Sequence, residues 1–133
     1  KNVKKNNFWK FVRFDISKDI TDKNPFWWKY FSASDLVLLP YRGGIGSGIF
    51  AHAMAAKKPV IASNIQYFNE IAKNFDCIKI AKNDQAYPEV IKEAMKPKNY
   101  KKMIEECKRY LKENGLSALA DRYKKLYISQ VKP

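Results

Sequence analysis

The stretch Asp35-Leu-Val-Leu-Leu-Pro-Tyr-Arg-Gly-Gly-Ile-Gly-Ser-Gly-Ile-Phe-Ala-His-Ala-Met-Ala-Ala-Lys-Lys-Pro-Val-Ile-Ala-Ser63 decides the fold. Leu36 to Leu39 form an unbroken aliphatic run, the pattern of a strand buried on both faces. Tyr41 to Gly48 contains four glycines and reads as a turn whose backbone takes unusual dihedrals or approaches something closely. Ile49 to Lys57 is alanine-rich and helical in composition, with two lysines at its end to complement the helix dipole. Pro59 to Ser63 begins a second buried strand. Strand, helix and strand make a βαβ unit, with a right-handed crossover by default.

Working outward toward the N-terminus, Phe26 to Ser34 is a short helix crowded with aromatics. Asn24 is its N-cap and Pro25 its first helical residue. Packing onto the sheet is the expected role of its rings, ahead of stacking on sugars or bases. Before it, Asp15 to Lys23 is turn-like, Phe8 to Phe14 is a strand candidate, and Lys1 to Asn7 is a basic, frayed lead.

Toward the C-terminus, Gln66 to Asn74 reads as a short helix carrying Glu70, and Cys77 to Ala81 as a strand near a sheet edge. Lys82 to Gln85 is a loop, Pro88 opens a helix to about Met95, and Pro97 breaks it. Tyr100, Met103, Ile104, Cys107, Tyr110 and Leu111 then repeat at three and four residues, which marks one buried helical face. Gly115 is the C-cap of that helix and Ser117 the N-cap of the last one. The last helix has an apolar face of Leu119, Ala120, Tyr123, Leu126 and Tyr127. Alternating strands and helices predict an α/β class: a Rossmann-like, largely parallel sheet flanked by helices, with a helical C-terminus.

A length of 133 residues fits a single domain, 1–133. The 46% hydrophobic and 14% aromatic content argues for a folded globule over a disordered tail. No apolar run approaches a membrane span and no signal-peptide pattern opens the chain. Cys77 and Cys107 make neither a disulfide framework nor a metal site, so both are expected to be reduced core residues of a cytoplasmic protein. The formal charge is +13, carried almost wholly by lysine, since only Arg13, Arg42, Arg109 and Arg122 are arginine. Lysine is a hydrated point charge, weaker than arginine at bidentate phosphate or base recognition. A solubilising lysine surface is the plain explanation; attraction to an anionic membrane surface, with peripheral attachment there, or to a phosphorylated substrate is the other. Nucleic acid is not favoured as a partner, because the lysines are spread and no recognised module is present.

A glycine turn between a parallel strand's C-terminal end and a helix N-terminus is a phosphate site in physical terms. Unpaired N–H groups point outward there, the helix dipole adds positive charge, and ligands of such sheets bind beyond the strand ends. Gly46 and Gly48 let an oxygen reach the backbone, Ser47 supplies a hydroxyl, and Arg42 a charged clamp. The turn is no Walker loop, since no Gly-Lys-Ser/Thr follows, and Gly44-Ile-Gly46-Ser-Gly48 is one residue short of the dinucleotide spacing. On spacing alone, a phosphate site and a merely structural turn both stand.

The pattern Ala33-Ser-Asp35, Leu-Val-Leu-Leu-Pro40, glycine turn, Ala53-Met54-Ala55, Lys58-Pro-Val-Ile-Ala-Ser63 and Asn69-Glu70-Ile71 resembles the C-terminal domain of GT-B glycosyltransferases. The glycosyl transferases group 1 family is the most similar group, over about Phe26 to Tyr127. The resemblance implies a domain that binds a nucleotide-diphosphate sugar as donor substrate, with no further cofactor and no metal. It places Gly46, Ser47 and Gly48 against the donor phosphates and implies transfer to an acceptor held mainly by a separate N-terminal domain. That domain, or a partner chain, is therefore expected outside the present sequence.

Two departures accompany the resemblance. The family's pair of glutamates, with seven residues between them, falls on Gly44 and His52. Glycine cannot replace such a hydrogen-bonding anchor, whereas an imidazole can still bond a ribose hydroxyl. Glu70 is either a donor contact or an ordinary helix-surface acid. The second departure is length, because 34 residues before Asp35 are too few for the family's preceding strands. The expected activity is thus glycosyl transfer by part of an enzyme; the alternative is a non-catalytic, glycosyltransferase-like binding or assembly module.

Overall fold

The computed structural model describes residues 27–131. The basic lead, the Phe8–Phe14 strand and the Asn24–Pro25 helix start lie outside them. The elements in order are α1 (Trp27–Ala33), β1 (Val37–Leu39), α2 (Gly48–Ala55), β2 (Val60–Ser63), α3 (Gln66–Ala72), β3 (Ile78–Ala81), a 3-10 turn (Asp84–Ala86), α4 (Tyr87–Ala94), α5 (Pro97–Asn114) and α6 (Leu116–Gln130). The strands form one parallel sheet in the order β1-β2-β3, with Val37 opposite Val60 and Val60 opposite Ile78. The α/β class and the helical C-terminus read from the sequence are present.

The central strand explains the two layers. Alternate side chains of a strand point to opposite faces. Val60 and Ala62 therefore join Leu39, Phe50, Ala53, Met54, Phe68, Cys77 and Ile78 on one side, under α2 and α3. Ile61 points the other way, to Ala81, Ala94 and Met103 under α4. Helix α5 serves both layers, Cys107 in the first and Met103 in the second. The three- and four-residue spacing of its apolar positions gives this reach. Cys77 and Cys107 are both free and fully buried, and the Cys107 neighbour together with burial pushes the Cys77 thiol well above its usual range.

Three local expectations are corrected. Strand β1 is not buried on both faces: Leu38 is 47% exposed, because β1 bounds the sheet among the described residues. The lysines after α2 do not sit in its last turn. Ala56 is the C-cap, Lys57 takes a left-handed φ of 56°, and Lys58 turns back so that its Nζ donates to the Ser32 carbonyl at 3.1 Å. Ser117 is not an N-cap but lies inside α6, because Gly115 ends α5 and starts α6 at once. Gly115 has an ordinary φ of −68°, so a left-handed cap is not what requires glycine. A Cβ there would stand 2.5 Å from the Leu111 carbonyl oxygen, and close approach excludes any larger residue.

Asp76 ties the turn before β3 to α5. Its carboxylate meets Lys79 Nζ at 2.6 Å and Lys102 Nζ at 2.5 Å. The Lys102 and Lys79 hydrogen bonds hold its pKa down at about 2, against an ordinary 3.8. A depressed carboxylate stabilises the fold above the unfolded-state value and loses that contribution as pH falls through the folded one. The side chain is 36% exposed, so screening keeps the effect to about 1 kcal/mol or less. Asp76→Asn is expected to remove part of the loss of urea stability between about pH 4 and pH 2. Parallel midpoints for both proteins across that window check it, and identical acid slopes would refute the assignment.

Candidate functional site

The glycine turn runs from the end of β1 to the start of α2. Ser47 is the N-cap of α2, extended at φ −152° and ψ 109°, and its Oγ accepts the Phe50 N–H at 3.0 Å. The same Oγ lies 3.0 Å from the Tyr41 hydroxyl. When Tyr41 donates, the Ser47 proton is left to point outward. Burial raises the Tyr67 hydroxyl's pKa, and the Ser47 backbone amide beside it lowers it by less. Below the turn, Phe50 is 1% exposed and meets Tyr67 and Tyr110 edge-on, with ring centroids 6.4 and 5.4 Å away. The helix start is thus fixed to the core from beneath. Above it, the amides of Gly48 and Ile49 open the helix and have no intrahelical acceptor, and the partial positive charge of the helix end collects there.

The carboxyl edge of the sheet is tied together around this turn. Ser63, at the end of β2, donates its hydroxyl to the Tyr41 carbonyl at 2.6 Å, with the Leu39 carbonyl at 3.3 Å. Tyr87 of α4 donates to the same Leu39 carbonyl at 3.4 Å. Arg42 reaches across to Asp84 at 2.9 Å, joining the loops after β1 and β3. Both partners are well exposed, with 86% and 60% of their side chains open to solvent. An exposed pair contributes little to stability, so the guanidinium can exchange Asp84 for an incoming anion.

The glycines divide into two kinds. Gly44 has φ +144°, a conformation that side chains of L-residues rarely adopt, and is glycine for its own backbone's sake. Gly43, Gly46 and Gly48 have no such dihedral, and a Cβ on any of them would meet nothing within 4 Å. Neither conformation nor packing among the described residues asks for glycine at these three places.

Arg42, Gly44, Gly46, Ser47 and Gly48 therefore share one turn, as their spacing implies. His52 lies one helical turn beyond Gly48 on the same face of α2, half-buried, its ring centroid 6.2 Å from that of Phe31 in α1. Glu70 stands on α3, where its carboxylate holds Lys73 Nζ at 2.9 Å. The sequence reading missed Tyr41, Ser63, Tyr67, Asp84 and Tyr87. Tyr41 alone carried a local signal, since it sits at the turn's entrance. The others reach the turn from elements far along the chain.

Grooves also lie elsewhere among the described residues. One of about 360 Å³ runs along β3 and α4 and is bordered by Lys79, Glu89 and Glu93. Its two carboxylates disfavour an anionic ligand, which is why the turn, and not this groove, is the better candidate for phosphate. Another, about 230 Å³, lies between α1 and β1 and is lined by Tyr30, Phe31, Ser34, Leu36, Val37 and Leu38. Among the described residues no group of three His, Cys, Asp or Glu side chains is placed to hold a metal ion.

Among known families, the one described as glycosyl transferases group 1 matches residues 22–114, well over half of the chain. The match takes in every element from α1 to α5 and ends before α6. No curated protein matches the chain.

Proposed function

The chain belongs to the glycosyl transferases group 1, and on that premise we propose that its glycine turn receives the diphosphate of a nucleotide-diphosphate sugar. The observation that carries the reading is the open space over Gly43, Gly46 and Gly48. Glycine at a position that neither its own backbone nor its neighbours require leaves room for a ligand against the main chain. The amides of Gly48 and Ile49, the Ser47 hydroxyl and the end charge of α2 suit a phosphate oxygen in that room.

In the transfer, the bond between the sugar's anomeric carbon and the diphosphate oxygen breaks, and its electron pair leaves with the diphosphate. The acceptor's oxygen or other nucleophile bonds to the anomeric carbon, and its proton passes to the departing diphosphate or to water. Negative charge grows on the leaving diphosphate, and donors fixed in advance by the Ser47 cap and the buried Phe50 stabilise it without reorganising. Arg42 adds a charge once it releases Asp84. His52, on the same face of α2 as Gly48, bonds a sugar or ribose hydroxyl in this reading. The acceptor is held by an N-terminal domain or partner outside this chain.

Gly46→Ala and Gly48→Ala test the reading directly. Because a Cβ fits at both, the variants are expected to keep their stability or gain up to about 1 kcal/mol. Binding of UDP, GDP or their sugars is expected to weaken about tenfold, roughly 1.4 kcal/mol. Chemical denaturation gives the first number, and amide shifts of residues 46 to 48 in a nucleotide titration, followed by NMR, give the second on the 133-residue chain. Unchanged amides at millimolar nucleotide would overturn the assignment.

A second reading, donor binding without transfer, is favoured by glycine and histidine standing where the family resemblance expects acids. The two are separated by transfer activity of the full-length protein. Nucleotide binding with no turnover supports the second.

A further inference from the structure

Helix α6 buries none of its residues. Leu119, Tyr123, Leu126 and Tyr127 are 42%, 54%, 55% and 67% exposed, and Leu116 and Val131 more so. At 100° per residue these side chains share an arc of about 140° on one side of the helix. A 15-residue helix standing alone in water is only marginally stable. Its attachment to the domain includes the Arg122 guanidinium bonded to the Glu113 carbonyl.

We propose that this face of α6 lies on an anionic lipid surface. The charges around the stripe favour that occupant. Arg122 borders the stripe on one side and Lys124 on the other, while Lys125 and the helix's single acid, Asp121, both stand on the far side. Tyrosines within the stripe present an apolar ring and a polar tip, which suits the headgroup boundary. A second copy of the chain is disfavoured as the cover, because each copy carries a formal charge of +13 and the approach is repulsive. Among the described residues no helix is long and apolar enough to cross a membrane, so the contact is interfacial. The inference does not depend on what the glycine turn binds.

The experiment is flotation of the 133-residue chain with vesicles of phosphatidylcholine alone and of phosphatidylcholine mixed with phosphatidylglycerol. Binding is expected on the mixed vesicles only, weakening as salt is raised. The double variant Leu119→Ser with Leu126→Ser removes apolar surface that the fold does not use. It is expected to keep the wild-type melting temperature and to bind about tenfold or more weakly. Lys124→Glu with Lys125→Glu is expected to weaken binding at least about tenfold. The same charge change at Lys92 and Lys98, on α4 and α5, is expected to weaken it much less. Equal losses from both lysine pairs would mean diffuse attraction to a basic protein and would overturn the assignment to α6. So would undiminished binding of the leucine variant, or a wild-type dimer in light scattering that the leucine variant dissolves. Failure to float with the mixed vesicles overturns it outright.

Discussion

Phe50→Ala is expected to lower the unfolding free energy by about 3–5 kcal/mol, the usual range for deleting a fully buried aromatic. Phe50 is 1% exposed and meets Tyr67, Phe68 and Tyr110, so its removal leaves a hole lined by three rings from α3 and α5. Those rings belong to separate elements, and collapse into the hole would require α2 to shift. The same residue supplies the N–H that Ser47 caps. Loss of stability should therefore be accompanied by loss of order in the turn. Chemical denaturation measures the first, and amide shifts of Gly46 to Gly48 without ligand report the second. A variant that loses stability while those amides stay in place would show that the turn is held by Tyr41 and Ser63 and not from beneath.

Gly44→Glu is expected to cost about 1–3 kcal/mol, the cost of placing a side chain at a disfavoured positive φ. The backbone there stands at φ +144°, and the clash is conformational, since the nearest atom to a Cβ is 3.8 Å away. His52→Glu, inside regular helix and half-buried, should cost much less. The two substitutions recreate the acids that the family resemblance expects, yet the structure receives them unequally. Melting temperatures of the two single variants check this. Equal effects would mean that the turn re-forms freely around residue 44. This asymmetry bears on function, because a glutamate cannot simply be put back at position 44 in the turn as it stands.

Much of this was legible in the sequence, for identifiable reasons. The aliphatic runs at Leu36–Leu39 and Val60–Ala62, bracketed by Pro40 and Pro59, place two strands. The spacing of Tyr100, Met103, Cys107 and Tyr110 places the long helix. Such signals are local and repeat with the period of the element. The exposure of Leu38 was not legible, because a residue's own neighbours do not say whether its strand lies at a sheet's border. The Gly115 junction was missed for a related reason. Ser117 has good capping chemistry, but the contact with the Leu111 carbonyl decides where α5 turns. At the site, the turn residues were visible as a block, whereas Ser63, Tyr87 and Asp84 support it from 22 to 48 positions away. Their role follows from strand order, which no short motif encodes.

The two buried cysteines have a practical consequence. Cys77 precedes β3 and Cys107 lies mid-way along α5, so one thiol stands on each wall of the core beneath the site. Both are fully enclosed and one is held strongly protonated. A thiol in that state is a poor nucleophile until it meets water. The rate at which an alkylating reagent consumes these sulfurs therefore times the opening of the core itself. The native chain carries this clock without any label being introduced, and ligand at the turn will slow it to the extent that binding stabilises the closed domain.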